Sequence, residues 1–198
     1  VSDFAIGLGI NVPTGKDSLS MKQKYPNEEV ISPGTVIISA AANCTDITNV
    51  VEPVLQKGFN DAIYYINLSG DDYKLGGSSF AQILNKIGTE APTITNNERF
   101  KNTFNTIQDI IKNGKIVAGH DVASGGLITT LLELCFADTN IGAEYNLSSL
   151  DETDSVKLLF SENSGIVFQA VDNSIETTLK NAGIDFHKIG SVNTTGIV

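Results

Sequence analysis

The 198-residue chain has no tryptophan, one methionine, and only two cysteines and two histidines. Each scarcity removes a class of chemistry. Cys44 and Cys135 stand in apolar stretches without Cys-x-x-Cys spacing or a neighbouring histidine, so neither a disulfide framework nor a zinc site is indicated, and both read as buried thiols. With His120 and His187 as the only imidazoles, and no Gly-x-Ser-x-Gly elbow, serine–histidine–aspartate hydrolysis is poorly supported. His187, beside Lys188 in a short strand, reads as a surface residue. Positive charge is also short: 13 Lys and Arg face 23 Asp and Glu, for a net charge of −10. Such a chain has no basic footprint for a nucleic-acid backbone or an anionic membrane, so neither is an expected partner. No apolar run approaches the roughly 18–20 residues of a membrane helix, and no basic-then-apolar signal segment opens the chain. The expected location is the cytoplasm. Val1 stands where a start methionine would, and the chain enters an apolar segment at once, so a segment of a longer polypeptide is expected.

What is present is ordinary for a globular protein: 41% hydrophobic residues and a mean hydropathy of +0.03. Two compositional regions follow one another. Residues 1–55 hold a glycine-punctuated loop, a polar stretch over Lys22–Glu29 and the β-rich run Thr35–Ala41, and read as strands and loops with little helix. From residue 56 strands and helices alternate, and the boundary is drawn at 55/56. Ala62–Leu68 reads as a buried strand. Phe80, Ile83, Leu84 and Ile87 mark one amphipathic helix, and Phe100, Phe104, Ile107, Ile110 and Ile111 mark another, capped at Asn97-Glu98. Lys115–Ala118 reads as a strand entering a loop at Gly119-His120-Asp121, before a helix whose stripe is Leu127, Ile128, Leu131, Leu132 and Cys135. Leu158–Ser161 and Gly165–Val171 read as strands, followed by a helix through Ile175, Leu179 and Ala182 and a strand Ile184–Ile189. The fold class expected for this region is α+β, with helices on one mixed sheet.

Three motifs carry candidate chemistry. Pro13-Thr14-Gly15-Lys16-Asp17-Ser18-Leu19-Ser20-Met21 invites comparison with a phosphate-binding Walker loop, but Ile10 stands where its first glycine belongs and Asp17 follows the lysine, so that loop is rejected. A glycine beside a cation, a carboxylate and hydroxyls still suits phosphate and Mg²⁺, the alternative being a solvated turn. Lys74-Leu75-Gly76-Gly77-Ser78-Ser79 precedes a helix, so Ser78 or Ser79 caps it, or the helix end offers its N–H groups to an anion. His120-Asp121-Val122-Ala123-Ser124-Gly125-Gly126 joins a strand to a helix. There a carboxylate and backbone amides can reach a Mg²⁺-nucleotide, or Asp121 or Ser124 simply caps the helix.

In this order, Pro13-x-Gly15-Lys16-Asp17-Ser18-x-Ser20-Met21, Leu75-Gly76-Gly77-Ser78-x-x-Ala81-Gln82 and His120-Asp121-x-x-x-Gly125-Gly126-Leu127, the last followed by Leu131–Ala137, resemble the long form of the phosphoribosylformylglycinamidine synthase family. Ser32–Ala40, Asp46-Ile47 and Phe160–Gly165 extend the likeness over nearly the whole chain. The resemblance implies a fragment of the second half of the synthase region. Residues 1–55 would end an N-terminal-type domain that joins a shared barrel, and residues 56–198 would form an α+β domain like the C-terminal domain of aminoimidazole ribonucleotide synthetase. The implied reaction is an ATP-dependent amidation: ATP phosphorylates the amide oxygen of formylglycinamide ribonucleotide, and ammonia from a glutaminase domain displaces phosphate to give the amidine. The implied cofactors are ATP and Mg²⁺, and the implied partners are that substrate, ammonia and the remaining synthase domains.

The same resemblance assigns nucleotide or substrate binding to Gly15, Lys16, Asp17, Ser18, Ser20, Gly76, Gly77, Ser78 and Ser124, and a Mg²⁺ contact at an auxiliary nucleotide site to Asp121. The family's usual Asp-Arg-Ser-Asp-Gly-Gly here reads Asp121-Val122-Ala123-Ser124-Gly125-Gly126, which leaves that auxiliary site weakened, altered or lost. Glu162 matches a substrate loop of the first half, which is not the catalytic one in second halves. Two other readings stand beside the synthase: a non-catalytic scaffold with a vestigial nucleotide site, and a paralogous ATP-dependent synthetase acting on another amide or acid.

Overall fold

Ala62-Ile63-Tyr64-Tyr65-Ile66 is apolar without a break, which a strand sustains only when both of its faces are covered. The structure, a computed structural model, describes residues 1–16, 20–32, 34–44 and 46–198, and shows how that demand is met. Strand β3 (Ala62–Asn67) is the middle of a five-stranded sheet with β4 (Ile116–Val122), β5 (Gly142–Tyr145), β6 (Gly165–Ala170) and β7 (His187–Asn193), in the order β4-β6-β3-β7-β5. Ile63 and Tyr65 face one core, with Leu127 and Leu131 of α4 (Gly126–Glu133) and Leu158 of α5 (Ser155–Phe160). Ala62, Tyr64 and Ile66 face a second core, with Ile107 and Ile110 of α3 (Asn97–Lys112) and Ile175 and Leu179 of α6 (Ser174–Asn181). Helices thus cover both faces of the sheet. The α+β class holds, and every described pairing in the sheet is antiparallel, because β6 and β7 run against β3, β4 and β5 and lie between them.

The chain divides into two compact units, Val1–Ile47 and Thr48–Val198. The second includes the stretch ahead of β3. Gln169 of β6 is fully buried (0% exposed), accepts from Gln56 N (2.9 Å) and donates to Gln56 O (2.8 Å) and Asn60 O (2.9 Å), while Leu55 enters the first core. The first unit consists of α1 (Ser2–Leu8) and a hairpin, β1 (Lys22–Lys24) with β2 (Glu29–Ile31), closed by Tyr25 N donating to Glu28 O (2.8 Å).

Several local expectations change. Helix α1 forms where little helix was expected, ended by the left-handed Gly9. Thr35–Ala41 is not a strand: its apolar residues Val36, Ile37 and Ile38 are exposed, and among the described residues no strand pairs with it. Cys44 is exposed rather than buried, whereas Cys135 is buried. Helix α2 (Ser79–Ile83) is a single short turn, because Asn85 adopts the left-handed conformation (φ 53°) that stops a helix, which leaves Ile83, Leu84 and Ile87 on the surface. Asn96, one residue before the expected pair, caps α3 by accepting from Arg99 N at 2.9 Å. Leu158-Leu159-Phe160 belongs to helix α5, because the Asp154 carboxylate accepts from Val156 N and Lys157 N and starts a helix there. His120 and Asp121 extend β4 rather than forming a loop. Among the described residues no helix is long and apolar enough to cross a membrane.

Candidate functional site

The polar run Ser161-Glu162-Asn163-Ser164 lies between Phe160 and β6; Ser161 and Asn163 are buried, Glu162 is half-buried and Ser164 is exposed. Asn163 is 1% exposed. Its Nδ2 donates to Ser69 Oγ (2.9 Å), Asp71 O (3.2 Å) and Asp72 O (3.1 Å), and its Oδ1 accepts from Ser161 Oγ (2.9 Å). Ser69 Oγ passes the chain of bonds on to Asn67 Oδ1 at 2.8 Å, and Arg99 Nη2 donates to Asn67 O at 2.9 Å. A network satisfied at every buried atom fixes one geometry. It holds the loop that leaves β3 and leads to Lys74–Ser79.

That loop explains its own glycines. Gly76 N donates to Glu90 O (2.8 Å), and a Cβ on Gly76 would lie 2.3 Å from the same oxygen. Gly77 has φ 74° and donates to Ile87 O at 2.7 Å. Ser78 caps α2, accepting from Ala81 N at 3.2 Å while its hydroxyl donates to Leu75 O at 2.6 Å. The next amide, Ser79 N, donates to Glu162 Oε1 at 2.8 Å. The same oxygen accepts from Gly125 N at 2.9 Å, so one carboxylate joins the two glycine-rich motifs. Gly125 (φ 91°) caps α4 without a side-chain bond, so neither Asp121 nor Ser124 is the cap. Gly126 (φ 76°) packs its Cα against the backbone of Leu159 and Phe160.

His120 and Asp121 are neighbours on β4, and their side chains approach each other, His120 Nδ1 lying 3.4 Å from Asp121 Oδ1. His120 Nε2 lies 3.0 Å from Glu133 Oε2 of α4, and its Nδ1 lies 2.7 Å from Asp121 O. The Asp121 carboxylate borders a small groove lined by Val51, Ile107 and Ile166, and it is 74% exposed. Ser124 is exposed as well. No group of three or more His, Cys, Asp or Glu side chains able to hold a metal occurs among the described residues. Asp121 thus fits Mg²⁺ only as a single oxygen donor, a part Mg²⁺ allows when waters and phosphates complete its shell.

Two open cavities flank the loop. One, of ≈650 Å³, is lined by Asn67, Asp71, Tyr73, Arg99, Lys157 and His187 among others; its neighbour, of ≈400 Å³, by Lys74, Gly76, Phe80, Lys86 and Lys157 among others. Between them Lys74 Nζ meets both oxygens of Asp71 at 2.8 Å, and Thr93 N adds a bond to Asp71 at 3.0 Å. The hydrogen bond from Lys74 holds the Asp71 carboxyl below its ordinary range, and Asp71 in turn raises Lys74. Burial raises the Tyr73 hydroxyl.

Of the first motif, Gly15 and Lys16 lie in irregular, exposed chain, Ser20 lies in a turn just before β1, and Asp17 and Ser18 lie outside the described residues. These belong to the first unit, whereas Gly76, Gly77, Ser78, Asp121 and Ser124 belong to the second. Sequence reasoning passed over Asn163 and Ser69 and set Glu162 aside. Their signal was there: four polar residues in a row between the apolar Leu158–Phe160 and Ile166–Phe168.

Residues 60–198 match the family model described as AIR synthase related protein, C-terminal domain, and residues 1–43 match that of the FGAR-AT PurM_N-like domain. The chain is 37% identical over 184 residues to the probable phosphoribosylformylglycinamidine synthase, chloroplastic/mitochondrial, of Arabidopsis thaliana, covering 91% of this chain and 13% of that protein. It is 34% identical over 193 residues to phosphoribosylformylglycinamidine synthase of Homo sapiens, covering 96% of this chain and 14% of that protein. Among solved structures, Thermotoga maritima PurL complexed with FGAR matches with a TM-score of 0.55 at 18% identity, over 74% of this chain and 26% of that one. PurL complexed with ATP matches with a TM-score of 0.51 at 15% identity, over 74% of this chain and 23% of that one. At such identities the structural likeness speaks for the fold. The chain therefore belongs to the AIR synthase related family through its C-terminal domain, and it spans 13–14% of the synthases of Arabidopsis thaliana and Homo sapiens that it resembles.

Proposed function

We propose that the chain is a segment of the second half of a cytoplasmic phosphoribosylformylglycinamidine synthase, a ligase that converts formylglycinamide ribonucleotide to the amidine with ATP and glutamine-derived ammonia. In this reading the N-terminal-type domain ends within the first unit, and residues 56–198, together with residues 48–55 that pack into the same unit, form the C-terminal-type domain. The observation that carries this reading is the identity to two such synthases over 91% and 96% of the chain, the longer span taking in all three motifs. In this reading Gly15 lets the backbone approach the ligand, Lys16 or Asp17 meets phosphate or metal, and Ser18 and Ser20 meet substrate. Gly76, Gly77, Ser78 and Ser124 line the nucleotide side, and Asp121 offers one oxygen to Mg²⁺. When bound, the ion neutralises phosphate charge. The chain's own part is positioning and anion stabilisation, and the glutaminase and remaining synthase domains supply the rest.

The test is turnover of the full-length enzyme. Asp17→Asn and Ser18→Ala should each lower kcat by about 10²-fold, the scale for losing one preorganised contact to developing charge, with the melting temperature unchanged. Unchanged kinetics in both variants would sink the assignment. A scaffold with a vestigial nucleotide site is the second reading, favoured by the internal bonding of the Gly76, Gly77 and Ser79 amides. Calorimetric titration of Mg-ADP decides between them: equal affinity for the wild type and Asp121→Ala removes Asp121 from any ligand site. A paralogous synthetase would instead leave formylglycinamide ribonucleotide unconsumed.

A further inference from the structure

Glu162 Oε1 accepts from two backbone amides, Ser79 N at 2.8 Å and Gly125 N at 2.9 Å, which lie 83 and 37 residues away in sequence. Charge-assisted bonds to backbone amides are roughly twice as strong as neutral ones, and here both converge on one atom. The two ends are not equivalent. On the α2 side the loop is already held without Glu162, through Gly76 N to Glu90 O (2.8 Å), Gly77 N to Ile87 O (2.7 Å) and the Ser78 cap. Glu162 itself springs from the turn beside Asn163, whose side chain is anchored in the buried network. On the other side, the Ser124–Gly125–Gly126 turn has left-handed glycines at positions 125 and 126 and no side-chain cap. The Gly125 N–H belongs to the planar Ser124–Gly125 peptide, so a bond to it fixes the orientation of that plane and with it the Ser124 backbone. The rigid loop and the buried network thus act together on a turn that has few bonds of its own.

We infer that Glu162 is a positioning residue: its carboxylate couples the Lys74–Ser79 loop to the Ser124–Gly125 peptide and so sets how the strand-to-helix turn after Asp121 meets its ligand. The coupling is a property of the fold; its effect on nucleotide rests on the reading proposed above. Three substitutions separate the coupling from general damage. Ser79→Pro deletes only the amide donor, since Ser79 is the first residue of α2, where proline is tolerated, and Ser78 before it is extended (φ −69°, ψ 158°) as a residue preceding proline prefers. Glu162→Gln keeps an acceptor oxygen in place, and Glu162→Ala removes it.

In the full chain, amide hydrogen exchange should show Ser79 and Gly125 of Glu162→Ala exchanging together, faster by about tenfold or more, the scale of one charge-assisted hydrogen bond. Amides of β3 and β6 should keep their protection. Ser79→Pro should speed exchange at Gly125, in the other loop, and Glu162→Gln should restore both amides to within about threefold of wild type. Protection at Gly125 that is indifferent to Ser79→Pro would overturn the coupling, as would unchanged exchange in Glu162→Ala. Mg-ADP titration is the separate arm. A fall in affinity of about tenfold in Glu162→Ala, rescued in Glu162→Gln, supports positioning of the nucleotide turn; an equal fall in both overturns it in favour of a direct charge effect. If the wild type binds no Mg-ADP, the nucleotide reading fails while exchange still decides the coupling.

Discussion

Val36-Ile37-Ile38 in the first unit and Ile63-Tyr64-Tyr65-Ile66 in the second are both short β-favouring apolar runs, yet Ile37 is 84% exposed and Ile63 is 0% exposed. Propensity is shared; partners are not. Residues 62–66 find a strand on each edge and a helix layer on each face, whereas among the described residues 36–38 have neither. A β-favouring run is thus a request for neighbours rather than a structure, which agrees with the context dependence of strand propensity. In the proposed reading those neighbours are the other strands of the shared barrel.

The contrast can be broken most sharply by core truncation. Phe168, fully buried and stacked on Tyr64 at 5.5 Å, should cost about 3–5 kcal/mol when replaced by alanine, while Ile37→Ser should stay within about 0.5 kcal/mol. Urea midpoints measure both, and a comparable loss at residue 37 would mean that the first run is covered after all. Glycines come next. Gly126→Ala meets a φ of 76° and backbone atoms at 2.7 Å, and should cost about 1–2 kcal/mol from the left-handed geometry alone, with the clash added. Gly15→Ala meets nothing within 4 Å and should leave stability unchanged in the same assay.

Ion pairs give the smallest and most pH-dependent contrast. The folded-state pKa of Asp71 is lowered from the ordinary 3.8 by the Lys74 hydrogen bond. Its contribution is therefore complete above that value and lost as pH falls through the lower folded value. Stability followed from about pH 5 down to pH 2 should fall more steeply for the wild type than for Asp71→Asn. The hairpin pair Lys22–Glu29, 3.2 Å apart and solvent-exposed, should matter by less than about 0.5 kcal/mol in Lys22→Ala.

How far the fold was legible follows the same rule. The strand over residues 62–68 was readable from its unbroken apolar run and the long helix through Phe100–Ile111 from its period, although Phe104 of that stripe is exposed. Leu158-Leu159-Phe160 was misread because three apolar residues fit a strand or a helix equally, and only the Asp154 cap decides. Strand β5 was missed because Gly-Ala-Glu-Tyr carries neither length nor alternation. At the site, the glycine pairs announced tight turns correctly, but nothing local shows that a carboxylate 83 residues beyond Ser79 will accept its amide. Long-range bonds of this kind have no sequence period.

The bracket that Gln169 makes around residues 56–60 bears on where this domain can be cut. The match to the C-terminal-domain family begins at residue 60, and a polypeptide trimmed to that point would keep Asn60 but lose Gln56, leaving the buried amide with one of its three bonds and the first core without Leu55. Excision of a stable domain should therefore begin no later than residue 48, where the compact unit itself begins.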